Sequence, residues 1–278
     1  MFTCISVVLI ILTVFAHEFW GHATAIREAG AHISKVALGL PYGPYLVFPL
    51  RGKWTGTNFV VHYLCPFGAF TEYDEQEVRS LPYWQQSRIH ASGPFISIMF
   101  GYVLIVLAGF VAIAERPEIT IGYFPHLPLL MSSLCAVAFL GIMLRFGGKM
   151  LFTYVIPCIP IVLFLFVIHS LFFSGGGVTS PVAIIGTAGK VSELSGAVFF
   201  AGNISGVCFG FPMLLPLRIF GIALDGEQML RPLTEKYIPQ LIGVFESFGT
   251  MFFGLLVLYI LQRELAPIVL PFLERFFS

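Results

Sequence analysis

Long apolar runs dominate the chain. Six of them approach the length of about 20 helical residues that a bilayer crossing requires, at 2–26, 94–114, 127–144, 150–173, 194–217 and 241–261. The second to fifth contain no Asp, Glu, Lys or Arg, and the sixth carries Glu246 in its first third. Between the first two runs the pattern changes. Residues 36–40, 45–50 and 57–64 alternate β-branched and aromatic side chains, separated by Pro41-Tyr42-Gly43-Pro44 and Arg51-Gly52-Lys53. That is the signature of two or three short strands joined by turns. The acidic stretch 71–80 reads as a solvated loop. The pattern predicts an all-α polytopic membrane protein in one domain, 1–278. It has about six transmembrane helices and a small membrane-associated β-hairpin or sheet at 31–93, after the first helix.

Composition narrows the classes. Of 278 residues 57% are hydrophobic and 11% charged, with 15 basic residues against 15 acidic ones. A soluble domain carries roughly 25% charged residues. A water-soluble globule, a disordered chain and a nucleic-acid binder are therefore excluded, and the lipid bilayer is the expected surroundings. The five cysteines are odd in number and show no short repeated spacing, so neither a disulfide framework nor a cysteine metal site is expected. The first basic residue is Arg27, which argues for a retained first helix rather than a cleaved signal peptide. With that helix running outside to inside, 11 of the 15 basic residues fall on the cytosolic side. Both termini then lie outside.

A charge within a membrane helix costs about 2.5–3.5 kcal/mol on insertion scales, so its presence demands a reason. Glu18 is the charged residue of the first run, and it stands in His17-Glu18-Phe19-Trp20-Gly21-His22. Two neutral imidazoles and a carboxylate on one turn are the parts of a hydrolytic zinc site. The nitrogens hold Zn2+ and the carboxylate takes the proton of the attacking water. The histidines are five apart, which in a regular α-helix leaves them about 140° apart around the axis. A π-bulge absorbs the extra residue and restores a common face. Alternatively, Glu18 and His22, four apart, ligate without any bulge. Asp225, in Leu224-Asp225-Gly226 after the fifth run, falls on the same side as the His17–His22 end and supplies a third ligand. His32, His62, His90, His126 and His169 have no partner at ligand spacing and read as structural or interfacial. Glu246 reads as facing the bundle or the interface.

Taken in order, these motifs resemble the site-2 protease family of intramembrane zinc metalloproteases, in its bacterial branch. His17–His22 stands at the family's metal motif, and 36–70, closing on Cys65-Pro66-Phe67-Gly68-Ala69-Phe70, resembles its membrane-associated β-hairpin. Ser92-Gly93-Pro94 opens the second run as the family's Ala-Gly-Pro does. Ser180-Pro181-Val182-Ala183-Ile184 resembles its Gly-Pro-Ile-Ser-Ile segment, and Leu215-Pro216 with Leu224-Asp225-Gly226 resembles its Asn-x-x-Pro and Leu-Asp-Gly signature. Three features depart from the family pattern. The histidine spacing is expanded, Met213 stands where the family has Asn, and the loop 115–126 is too short for the PDZ domain of many bacterial relatives. A hairpin at 127–173 takes that place, and Asn203 is a candidate for the missing amide.

The resemblance implies hydrolysis of peptide bonds in or near transmembrane helices, with Glu18 as the base and His17, His22 and Asp225 on Zn2+. Substrates would be single-span membrane proteins, paired as an added strand along 36–63, where Val60 and Val61 are candidate contacts. The expected location is a bacterial inner membrane, with the site toward the cytosol. A catalytically inactive membrane-protein binder and an ion path through Glu18, Asp225 and the histidines are the rival readings.

Overall fold

The computed structural model describes residues 2–64, 68–115, 135, 138–139, 141–143, 145–161, 193–219 and 221–260. About half of the expected hairpin 127–173, the 180–184 segment and Cys65–Phe67 lie outside them. Among the described residues three helices are long and apolar enough to cross a membrane: Phe2–Glu28, Tyr83–Val111 and Leu194–Met213. The sixth expected span coincides with a 21-residue helix, Gln240–Ile260, which is not among those three.

The first rod consists of α1 (Phe2–Ala16), a π-helical segment His17–Ala23 and α2 (Thr24–Glu28). Two of its small polar groups face protein. Ser6 Oγ donates to Ala197 O at 3.3 Å, and the hydroxyls of Thr13 and Ser205 lie 2.7 Å apart. Both tie the rod to the 194–213 helix. In lipid there is no hydrophobic drive between helices, so such bonds and close packing of small residues hold them together.

Four strands follow: β1 (Ile33–Leu38), β2 (Tyr45–Pro49), β3 (Asn58–His62) and β4 (Ala69–Tyr73), in the order β2-β3-β1-β4. β2 and β3 form the expected antiparallel hairpin, while β1 lies parallel to β3 and antiparallel to β4. The sheet leans on the rod through rings. Phe15 lies 5.2 Å from Phe59 and Phe19 lies 4.8 Å from Trp54, while Arg27 covers Trp54.

The expected loop at 71–80 is a correction: it holds the end of β4 and a helix, α3 (Glu75–Ser80). Asp74 caps α3 by accepting from Gln76 N at 2.8 Å and Glu77 N at 3.2 Å. Val78 turns inward against Ile26, Ile33 and Val36, so a stretch polar in composition has one buried side.

The second span is also corrected at its start. α4 runs Tyr83–Glu115, with Pro94 inside it rather than at its head. A proline there gives up the bond its N–H would make to the residue 90 carbonyl. α5 (Glu193–Asn203) continues through a second π segment, Ile204–Gly210, to Phe211–Met213. It meets α4 backbone to backbone, since a Cβ on Gly101 would lie 2.6 Å from Gly206 N. A short hairpin, β5 (Arg218–Ile219) with β6 (Ile222–Ala223), then delivers the chain to α6 (Asp225–Tyr237) and α7 (Gln240–Ile260).

Candidate metal centre

The π segment brings the two histidines to one side. At its end Thr24 N–H reaches back to Phe19 O, five residues before it, the widened bond that defines this geometry. His17 Nε2 and His22 Nε2 lie 3.1 Å apart. Asp225, at the first position of α6, meets both: its Oδ2 is 3.3 Å from His17 Nε2 and its Oδ1 is 3.2 Å from His22 Nε2. All three residues are buried. Among the described residues they form the group of side chains close enough to hold one cation, with ligand atoms within 4.8 Å of one another. Two atoms at tetrahedral zinc distances stand about 3.4 Å apart, so the separations here fit one ion. Three protein ligands leave the fourth position open, as in catalytic rather than structural zinc sites.

The ring orientation is set from behind. His17 Nδ1 lies 2.9 Å from Ser97 Oγ, and His22 Nδ1 donates to Ile89 O at 2.8 Å. With each Nδ1 engaged, each Nε2 is turned to the shared point. Space is set by Gly93, where a Cβ would lie 2.6 Å from His17 Nε2 and 2.7 Å from His22 Cε1. Asp225 is placed by Gly226, whose α-hydrogen side faces the Leu214–Leu215 turn; a Cβ there would lie 2.6 Å from Leu215 O.

Glu18 is half-buried next to His17 and outside the three-residue group. Its Oε2 accepts from Thr71 Oγ at 2.9 Å, so β4 tethers the carboxylate beside the site. Behind Asp225 the fully buried Glu227 accepts from Arg218 at 3.0 Å and lies 3.5 Å from Arg231 Nε. The expected contacts elsewhere are placed differently. Asn203 Nδ2 donates to Phe199 O of its own helix at 2.9 Å, outside the metal group. Val60 and Val61 lie in β3, which is paired with β1 on one side and β2 on the other. The sheet's edge strands are β4 and β2, and the five residues of β2 are all exposed. Among the described residues no strand pairs with the outer side of β2. Glu246 is exposed on α7.

Sequence reading missed Ser97, Ile89 O, Thr71 and Glu227, and marked Gly93 only as part of Ser92-Gly93-Pro94. Ile89 through Ser97 had a legible signal only once α4 is known to start at Tyr83. Positions 90, 93 and 97 then fall on one helical face. Among curated proteins, none matches the chain. The family model described as Peptidase family M50 matches residues 5–261. A buried His-His-Asp group with a neighbouring glutamate is the equipment of a metallopeptidase, and the chain belongs to peptidase family M50, the site-2 protease family, in keeping with its membrane-length helices.

Proposed function

We propose that this chain is an intramembrane zinc metalloprotease that hydrolyses peptide bonds in or near the transmembrane helices of single-span membrane proteins. The carrying observation is the convergence of His17, His22 and Asp225 within 4.8 Å, with Glu18 at the adjacent position. His17 Nε2, His22 Nε2 and Asp225 would hold the ion. When bound, Zn2+ would polarise the scissile carbonyl and lower the pKa of water.

The chain's own residues do the rest. Glu18, held by Thr71, accepts a proton from water as its oxygen joins the carbonyl carbon. It then returns that proton to the departing amine as the C–N bond breaks. Ser97 and Ile89 O keep both imidazoles aimed during this exchange. A helical substrate buries its amides in its own hydrogen bonds, so it must be unwound before attack. The open edge of β2 supports pairing with the extended segment, in place of the Val60–Val61 strand. The basic-residue bias supports a cytosolic site with both termini outside, in a bacterial inner membrane.

The test is a comparison of wild type with Glu18→Gln, purified and reconstituted into liposomes with a panel of single-span proteins. The expected result is near-stoichiometric zinc in both, with cleavage by wild type and a loss of about 10²–10⁴-fold in the variant. Zinc without cleavage by wild type would favour an inactive binder. Absence of metal, with ion flux lost in the variant, would favour a pore.

A further inference from the structure

The first rod, α4 and the segment carrying Gly141 and Arg145 enclose a groove of about 200 Å³ beside the metal motif. Rod and α4 run antiparallel here, because Glu28 pairs with Arg88 while Gly21 packs on Gly93. The third wall keeps the same register: Arg145 reaches Glu28, and Gly141 faces Met99. Along the helices the lining therefore changes character in order. Glu28, Arg88 and Arg145 stand at one end, Thr24 and Ser92 follow, and Ile96 and Met99 close the other. Glu28 is the last residue of one membrane-length helix, Phe2–Glu28, and Arg88 lies in the second turn of another, Tyr83–Val111. The charged end is at the depth where a bilayer has its headgroups, and the apolar end at the depth of its chains. Trp20, on the same groove and 57% exposed, is the residue type that concentrates at that boundary.

The charges at the polar end do not cancel. One carboxylate, Glu28, stands between two guanidiniums, with Arg145 at 3.2 Å, so a net positive charge remains. Arg145 turns one N–H to Glu28 while 69% of its side chain is open. A guanidinium carries five such donors, in a fork that matches phosphate oxygens. A basic recess between membrane helices, continuous with an apolar slot, complements both parts of an anionic phospholipid. The groove is small beside a second helix about 10 Å wide, which favours a headgroup and one chain as its occupant.

We propose that this groove binds one anionic glycerophospholipid, with its phosphate on Arg145 and Arg88 and one acyl chain along Ile96 and Met99. The site is independent of the proteolytic reading. Its test uses the purified full chain in vesicles of phosphatidylcholine mixed with phosphatidylglycerol, each lipid brominated in turn. Trp54→Phe and Trp84→Phe together leave Trp20 as the single tryptophan, so bromine quenching reports which lipid occupies the groove. Phosphatidylglycerol is expected to be preferred at Trp20. Arg145→Gln is expected to lower that preference about fivefold, the effect of one arginine near a charged lipid surface. Glu28→Gln, which removes the competing carboxylate, raises it. Arg79→Gln, which removes an exposed cation outside the groove, leaves it unchanged.

Equal quenching of Trp20 by the two brominated lipids overturns the proposal. So does an Arg145→Gln protein with unchanged preference, or an equal loss in Arg79→Gln, which would mark attraction to the whole face. Quenching by a brominated single-span peptide but by neither lipid assigns the groove to a helix and overturns it as well. Should the single-tryptophan protein fail to fold, native mass spectrometry of wild type and Arg145→Gln decides. Retention of one fewer phosphatidylglycerol by Arg145→Gln supports the site, and an equal count overturns it.

Discussion

Gly21 and Gly93 meet backbone to backbone: a Cβ on Gly21 would stand 2.6 Å from Gly93 Cα and 2.8 Å from Gly93 N. This contact sets the distance between the π segment and α4, and the same glycine on α4 leaves room for the two imidazoles. Gly93→Ala is expected to push the rings apart and abolish stoichiometric zinc binding while the helices remain. Gly21→Ala is expected to do the same by separating the backbones. Zinc quantitation beside circular dichroism checks both, and full metal occupancy in Gly93→Ala would show that the rings have room to yield.

Ser97 supports His17 from behind at 2.9 Å. Loss of such a partner typically weakens metal affinity by about 10–100-fold. Ser97→Ala is expected to lie in that range in a competition titration with a chromophoric zinc chelator. His22 should be less easily perturbed by side-chain substitution, because its partner is the backbone carbonyl of Ile89.

Glu227 is 1% exposed and shared by Arg218 and Arg231. Removing one partner of a buried ion pair strands the other and costs about 3–5 kcal/mol. Glu227→Gln keeps the shape and loses the charge, so a marked fall in thermal midpoint is expected, with Asp225 still able to bind zinc at low temperature. Thermal unfolding with and without added zinc measures this. An unchanged midpoint would mean that the arginines are solvated instead.

The two edges of the β2–β3 hairpin make different predictions for substrate. β2 is exposed along its whole length, whereas β3 has a strand on each side. Single cysteines at Leu46 or Phe48 are expected to cross-link to a cysteine placed near the scissile bond of a single-span substrate. Cysteine at Val61 is expected to give at most a trace. The reverse pattern would move substrate to another surface.

The metal motif was legible because a charge in an apolar run has a cost that local sequence exposes, and because five-residue spacing requires a widened turn. Asp225 was legible through its side of the membrane. The second layer was hidden by the start of α4. Gln85, Gln86 and Arg88 interrupt the apolar run, so Ile89, Gly93 and Ser97 fell outside or at the edge of the expected span. The 71–80 stretch misled through composition, since its acids face outward while Thr71, Tyr73 and Val78 turn in. The parallel pairing of β1 with β3 depends on long-range docking against the first rod, for which alternation carries no signal.

In the proposed site two imidazoles and one carboxylate grip a single zinc ion. X-ray absorption at the zinc edge of the purified, reconstituted protein tests it most directly. One zinc per chain is expected, with two imidazole ligands and oxygen for the remainder, and loss of one imidazole shell in His17→Ala or His22→Ala. A spectrum with sulfur ligation, or one unchanged by removing either histidine, would contradict it.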